Sequence, residues 1–106
     1  MLKIENILRA IREDQFRISN HAVEEMENDD LDLYNVLHSI EKGEIIEEYP
    51  ESRITPSCLI LGIDTKSNPV HSVWGYFEER YYSVLITVYK PNRREWMEDF
   101  KTRRFT

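Results

Sequence analysis

The hydrophobic period of the chain changes once, at Gly43, and that change limits the fold more than any other feature. Before it, apolar residues recur at helical spacing: Ile4, Ile7, Leu8 and Ile11, then Ala22, Val23 and Met26, then Leu33, Val36, Leu37 and Ile40. After it come short, β-rich runs bounded by turn residues and proline. Helical stripes followed by strands can bury their apolar faces only against each other, as a helix layer on a sheet. The expected class is α+β, with the helices leading. At 106 residues the chain is one domain's worth, so residues 1–106 are expected to form a single domain.

The ends of the helices are marked by their residue types. A first helix is expected over about residues 2–13 and a short connector at Phe16 and Ile18. Ser19 or Asn20 can cap a second helix, which Asn28, Asp29 and Asp30 interrupt. Asp30 and Asp32 suit the positive end of a third helix, and Lys42 and Gly43 its C-terminal end.

Four antiparallel strands are expected at 44–49, 57–64, 70–77 and 81–89, with a short closing helix over 93–101 that carries Trp96, Met97 and Phe100. A three-residue loop at 78–80 would set Phe77 opposite Tyr81 and His71 opposite Thr87. In that register Val84, Ile86 and Val88, with Trp74, pack on the helices. The other face carries His71, Ser83, Thr87 and Tyr89, a polar mixture suited to the floor of a site. Leu8, Leu37, Ile86 and Trp74 are the expected core.

Several chemistries find no support in the residue pattern. No apolar run reaches the roughly 18 residues of a membrane span. The N-terminus carries charge where a signal peptide would be apolar, so a cytoplasmic location is expected. Cys58 is the one cysteine and, inside an apolar run, reads as a buried small hydrophobe. His21, His38 and His71 follow no metal-ligand spacing, so neither metal nor cofactor is expected. His21 precedes Glu25 by four positions, one helical turn, where a carboxylate can orient an imidazole for acid–base work or simply make a surface contact. The net charge is −6 but is unevenly spread: residues 89–106 carry six basic side chains against three acidic ones, leaving −9 on the remainder. An anionic ligand would go to the tail.

Ser19-Asn20-His21-Ala22, Gly43-Glu44-Ile45-Ile46-Glu47, Pro69-Val70-His71 and Ile86-Thr87-Val88-Tyr89, followed by Trp96 and Arg103, together resemble the bacterial domain-of-unknown-function family 4258. That family is similar in outline to the RelE-like and barnase-like ribonuclease toxins, with helices followed by a four-stranded antiparallel sheet. The resemblance implies a metal-independent endoribonuclease, a toxin of a toxin–antitoxin pair, with RNA as substrate and an antitoxin-like protein as partner. Its site would comprise His21, His71, Thr87, Tyr89 and Arg103. The two histidines would share the acid–base work in an order left open, Arg103 would hold the phosphate, and Thr87 and Tyr89 would position it. The acidic balance supports an alternative, a noncatalytic binding module that uses the same polar face.

Overall fold

The computed structural model describes residues 1–105. Three nine-residue helices, α1 (Ile4–Arg12), α2 (Asn20–Asn28) and α3 (Leu33–Glu41), pack on one face of a five-stranded sheet. The strands are β1 (Phe16–Ile18), β2 (Glu44–Tyr49), β3 (Ser57–Ile63), β4 (Pro69–Phe77) and β5 (Tyr82–Tyr89), in the order β1-β5-β4-β3-β2. The α+β class stands, but the sheet is mixed rather than four-stranded and antiparallel. The connector at Phe16 and Ile18 is itself a strand, paired parallel to β5 with Phe16 opposite Ser83. Three residues are too short to display a two-residue period, so only tertiary pairing reveals it.

Polar side chains set the helix boundaries. The Ser19 hydroxyl accepts from Ala22 N at 3.0 Å and donates to the Ile86 carbonyl at 2.8 Å, so one residue both caps α2 and ties it to β5. Asp32 caps α3 by accepting from Asn35 N at 2.8 Å. Between helices and sheet lies one core, which includes Ile7, Ala22, Val36, Ile40, Ile60, Trp74, Leu85 and Val88. Trp74 is fully buried, with its indole N–H donating to the Ser72 hydroxyl at 3.0 Å. Leu8 and Leu37 pack against this core from partly exposed positions instead of lying within it. Among the described residues no helix is long and apolar enough to cross a membrane.

α3 approaches β3 so closely that a side chain has no place at Gly62. A Cβ there would lie 1.6 Å from the Ser39 carbonyl oxygen and 2.5 Å from its carbon, both backbone atoms that cannot rotate away. Gly62→Ala should therefore push the helix off the sheet and cost on the order of 3 kcal/mol, the upper part of the range for overpacking. A urea melt checks it, and a loss under about 1 kcal/mol would mean the helix adjusts freely.

The hairpin between β4 and β5 departs from the expected register twice. Its loop is one residue longer than expected: a single 3-10 turn, Glu78–Arg80, leads into Tyr81 in the left-handed region at φ 50°, and Phe77 pairs with Tyr82. That slip turns Val84 and Ile86 away from the helices and brings Ser83 and Leu85 toward them. A bulge then falls where Trp74 pairs with Leu85 but Val73 with Thr87, so Ile86 has no partner in the register. The extra residue restores the parity, and His71 pairs with Tyr89 rather than Thr87. His71, Thr87 and Tyr89 consequently share the face that looks away from the helices.

The closing helix over 93–101 does not form. Asn92 Oδ1 accepts from Arg94 N and Glu95 N, and Asp99 Oδ1 accepts from Lys101 N and Thr102 N. Such local side-chain bonds offer the backbone turns in place of a helix. The segment folds back on itself through a bridge between Trp96 and Arg103 and lies across the far face of the sheet.

Candidate functional site

The far face is laid out by strand alternation. From β2 it receives Glu44, Glu47 and Tyr49, set opposite Leu61, Leu59 and Ser57 of β3. From β4 and β5 it receives His71, Val73, Thr87 and Tyr89. The tail adds Trp96, Phe100, Lys101 and Arg103 from above.

His71 is the anchor of the assembly. It is completely buried, and both ring nitrogens are engaged. Nε2 lies 2.8 Å from the Phe100 carbonyl, which can only accept, so Nε2 carries the proton. Nδ1 of the neutral ring then accepts from the Tyr89 hydroxyl at 3.2 Å. The Trp96 ring meets His71 edge-on at 4.4 Å between centroids, and Tyr89 does so at 5.2 Å. Burial pulls the His71 pKa below its ordinary value, partly offset by the bond to Phe100 and by the Glu47 charge. This imidazole is a neutral structural tie between sheet and tail.

Next to it lies a charged group of different character. Arg103 grips Glu47 with two bonds, Nε to Oε2 at 2.8 Å and Nη2 to Oε1 at 3.0 Å. The Tyr49 hydroxyl donates to the same carboxylate. The Arg103 guanidinium carbon also sits 4.5 Å above the Trp96 ring centroid, a cation–π contact. Arg103 remains about half exposed, while Glu47 is 22% exposed. The bond from Arg103 holds the Glu47 carboxyl below the usual carboxylate range, with burial opposing it. Burial and the bond to Glu47 push the Tyr49 hydroxyl well above its ordinary value. A second pair, Lys101 Nζ to Glu44 Oε1 at 2.7 Å, fastens the tail further along β2.

Of the residues picked out in the sequence, His71, Tyr89 and Arg103 come together here, and Thr87 shares their face. His21 does not join them. Ala22 and Met26 form the buried side of α2, and His21 projects from the helix with a 62% exposed side chain whose Nε2 is 3.9 Å from Glu25 Oε1. Glu47, Tyr49 and Trp96 belong to the cluster and were missed as site residues. The alternation of Glu44, Glu47 and Tyr49 along a six-residue strand was the available signal, blurred by the β2 irregularity between Ile45 and Glu47. Cys58 faces the helices, buried, with its thiol pushed up to about 12 by desolvation.

Neither a curated protein nor a solved structure gives a significant match to the chain. The sequence model described as Domain of unknown function (DUF4258) matches residues 18–90. That span contains Glu47, Tyr49, His71, Thr87 and Tyr89 and stops short of Trp96 and Arg103. Matching well over half of the chain from α2 through the end of β5, it makes the protein a member of the DUF4258 family.

Proposed function

We propose that the protein is a metal-independent endoribonuclease, the toxin of a toxin–antitoxin pair, with Glu47 and Arg103 rather than the histidines at the centre of its chemistry. The observation that carries this reading is the Glu47–Arg103–Tyr49 group, in which a half-exposed guanidinium grips a largely buried carboxylate. Cleavage by the ribose 2′-hydroxyl needs a base for the hydroxyl proton and a cation for the phosphate. A phosphodiester reaching Arg103 competes with Glu47 for the guanidinium. As it binds, the carboxylate loses the partner that depresses its pKa and becomes a better base at the moment the hydroxyl arrives. The 2′-oxygen–phosphorus bond forms, the proton passes to Glu47, and the bond to the 5′-oxygen breaks. The departing oxygen takes its proton from solvent, because the Tyr49 hydroxyl is engaged with the Glu47 carboxylate. His71 and Tyr89 hold the platform, and Thr87 lines it.

The test is incubation of purified protein with RNA, with and without EDTA, followed by analysis of the product ends. Cleavage unaffected by EDTA, leaving 2′,3′-cyclic phosphates, supports the proposal. If folded protein free of any partner neither binds nor cuts RNA at low salt, where electrostatic binding is strongest, the proposal fails.

One observation favours a second reading, a noncatalytic module for a basic protein partner: the −9 carried by residues 1–88. Stable association with a basic protein, combined with intact RNA in the assay above, would select it.

A further inference from the structure

A cleft of about 650 Å³ opens between the C-terminal turn of α3, the end of β3 and the tail, where Leu61 stands opposite Glu44 of the Glu44–Lys101 pair. Its walls include Leu61, Ile63, Pro69 and Phe100, with His38 and Lys42 at the rim. The volume falls within the range of small-molecule sites, and an apolar lining with a few polar groups is their usual composition. Ile63 is 52% exposed in it, an aliphatic side chain at the end of a strand with little covering it. Lys42 is accompanied by Glu41 and Asp99, so the cleft has no excess of positive charge. Such a cleft suits a flat, neutral, partly apolar group rather than an anion.

Its position gives it meaning. Leu61 stands between Glu44 and His71 in the register, so the cleft is continuous with the far face. Phe100 lines it in the left-handed conformation, at φ 58°, where a bulky L residue is an outlier. That conformation is fixed by the bond from the buried His71 to the Phe100 carbonyl and by Phe100 N donating to the Met97 carbonyl at 2.9 Å. Three residues further on, Arg103 reaches Glu47. The Cα atoms of Phe100 and Arg103 are therefore no more than about 10 Å apart.

We infer that the cleft is a nucleobase subsite, in which the base stacks on the Phe100 ring against the Leu61, Ile63 and Pro69 wall while its phosphate lies on Arg103. This rests on the ribonuclease reading and adds to it a base contact next to the scissile phosphate. His71 becomes a positioning residue, because it sets the Phe100 backbone that presents the ring.

Amide shifts measured during titration with 3′-AMP, 3′-CMP, 3′-GMP and 3′-UMP, against inorganic phosphate, test the subsite without requiring turnover. At least one nucleotide should bind about tenfold or more tighter than phosphate and shift amides of residues 38–42 and 61–69. Phe100→Leu, which keeps the backbone carbonyl, should lose about tenfold of that preference while phosphate binding is unchanged, as expected for one stacked base. Ile63→Asp, at an exposed position, should block the same cleft and gives a second reading if Phe100→Leu fails to fold. Nucleotides that bind no tighter than phosphate, or whose shifts fall away from the cleft, overturn the inference. Cleavage that proceeds with wild-type KM in both variants also overturns it and leaves the nuclease standing. Base-dependent binding without any cleavage has the opposite meaning: the subsite stands and the nuclease reading falls.

Discussion

Glu47→Gln is expected to slow RNA cleavage by about 10²–10⁴-fold, the usual loss on removing a general base. Glutamine keeps the volume and one acceptor oxygen for Arg103 and Tyr49, so the fold should persist, which a melt can verify. It cannot take the hydroxyl proton. The loss should lie in kcat, because proton transfer belongs to the transition state and not to substrate binding. Arg103→Ala should lower kcat as well, through loss of charge stabilisation as the phosphate becomes more negative. If both variants cut RNA within about threefold of wild type, the Glu47–Arg103 pair is a structural clasp and the catalytic groups lie elsewhere.

His71→Ala should produce the largest loss of stability, about 3–5 kcal/mol. The change opens a cavity at a site with no solvent exposure. It also strips the Phe100 carbonyl and the Tyr89 hydroxyl of a buried partner, each a penalty of roughly 1–3 kcal/mol when unreplaced. The pH dependence should follow the same ring. Burial pulls its pKa below the ordinary 6.5, so the unfolded chain binds the proton first. The stabilisation from neutral His71 is complete above about pH 6.5 and declines as the pH falls toward the lower, folded value. Urea midpoints between pH 8 and 5 should decline in the wild type and flatten in His71→Ala across that window. A slope that survives the substitution unchanged would assign it to another group. Glu47, also depressed in pKa, acts below this window, near and under the ordinary carboxylate value of 4.5.

Much of this architecture could be read from residue spacing, because the controlling interactions are local. Ser19 and Asp32 cap helices by bonding amides three residues ahead, within the reach of sequence patterns. The strands β2 to β5 follow apolar runs and punctuating turns. What escaped depends on contacts between distant parts of the chain. β1 exists because Phe16 and Ile18 lie beside Ser83 and Leu85. The tail reads as a helix on the spacing of Trp96, Met97 and Phe100, yet the cross-chain bonds to His71 and Glu47 accompany turns instead. The site was half legible for the same reason. His71 and Tyr89 were identifiable as polar residues on one face of the hairpin and Arg103 only through the family resemblance, whereas Glu47 looks like any surface glutamate until Arg103 is placed on it. His21 entered the site through the resemblance alone, since a His–Glu spacing of four is common on exposed helices and says nothing about what faces it, and it stands on the exposed side of α2.

The two irregularities of the β4–β5 hairpin act together as a parity code. The extra loop residue inverts which side each β5 residue faces, and the unpaired Ile86 inverts it back for everything beyond. Deleting Ile86 alone would let Leu85 and Thr87 follow each other in plain alternation, so Val88 would stay against the helices and Thr87 and Tyr89 on the far face. A slip of the whole strand by one residue, with the bulge kept, would instead send Thr87 and Tyr89 into the helix layer and Val88 out of it. The face at one end of the strand is thus tied to the register at the other, and a relative without the bulge should be one residue shorter between the positions of Leu85 and Thr87.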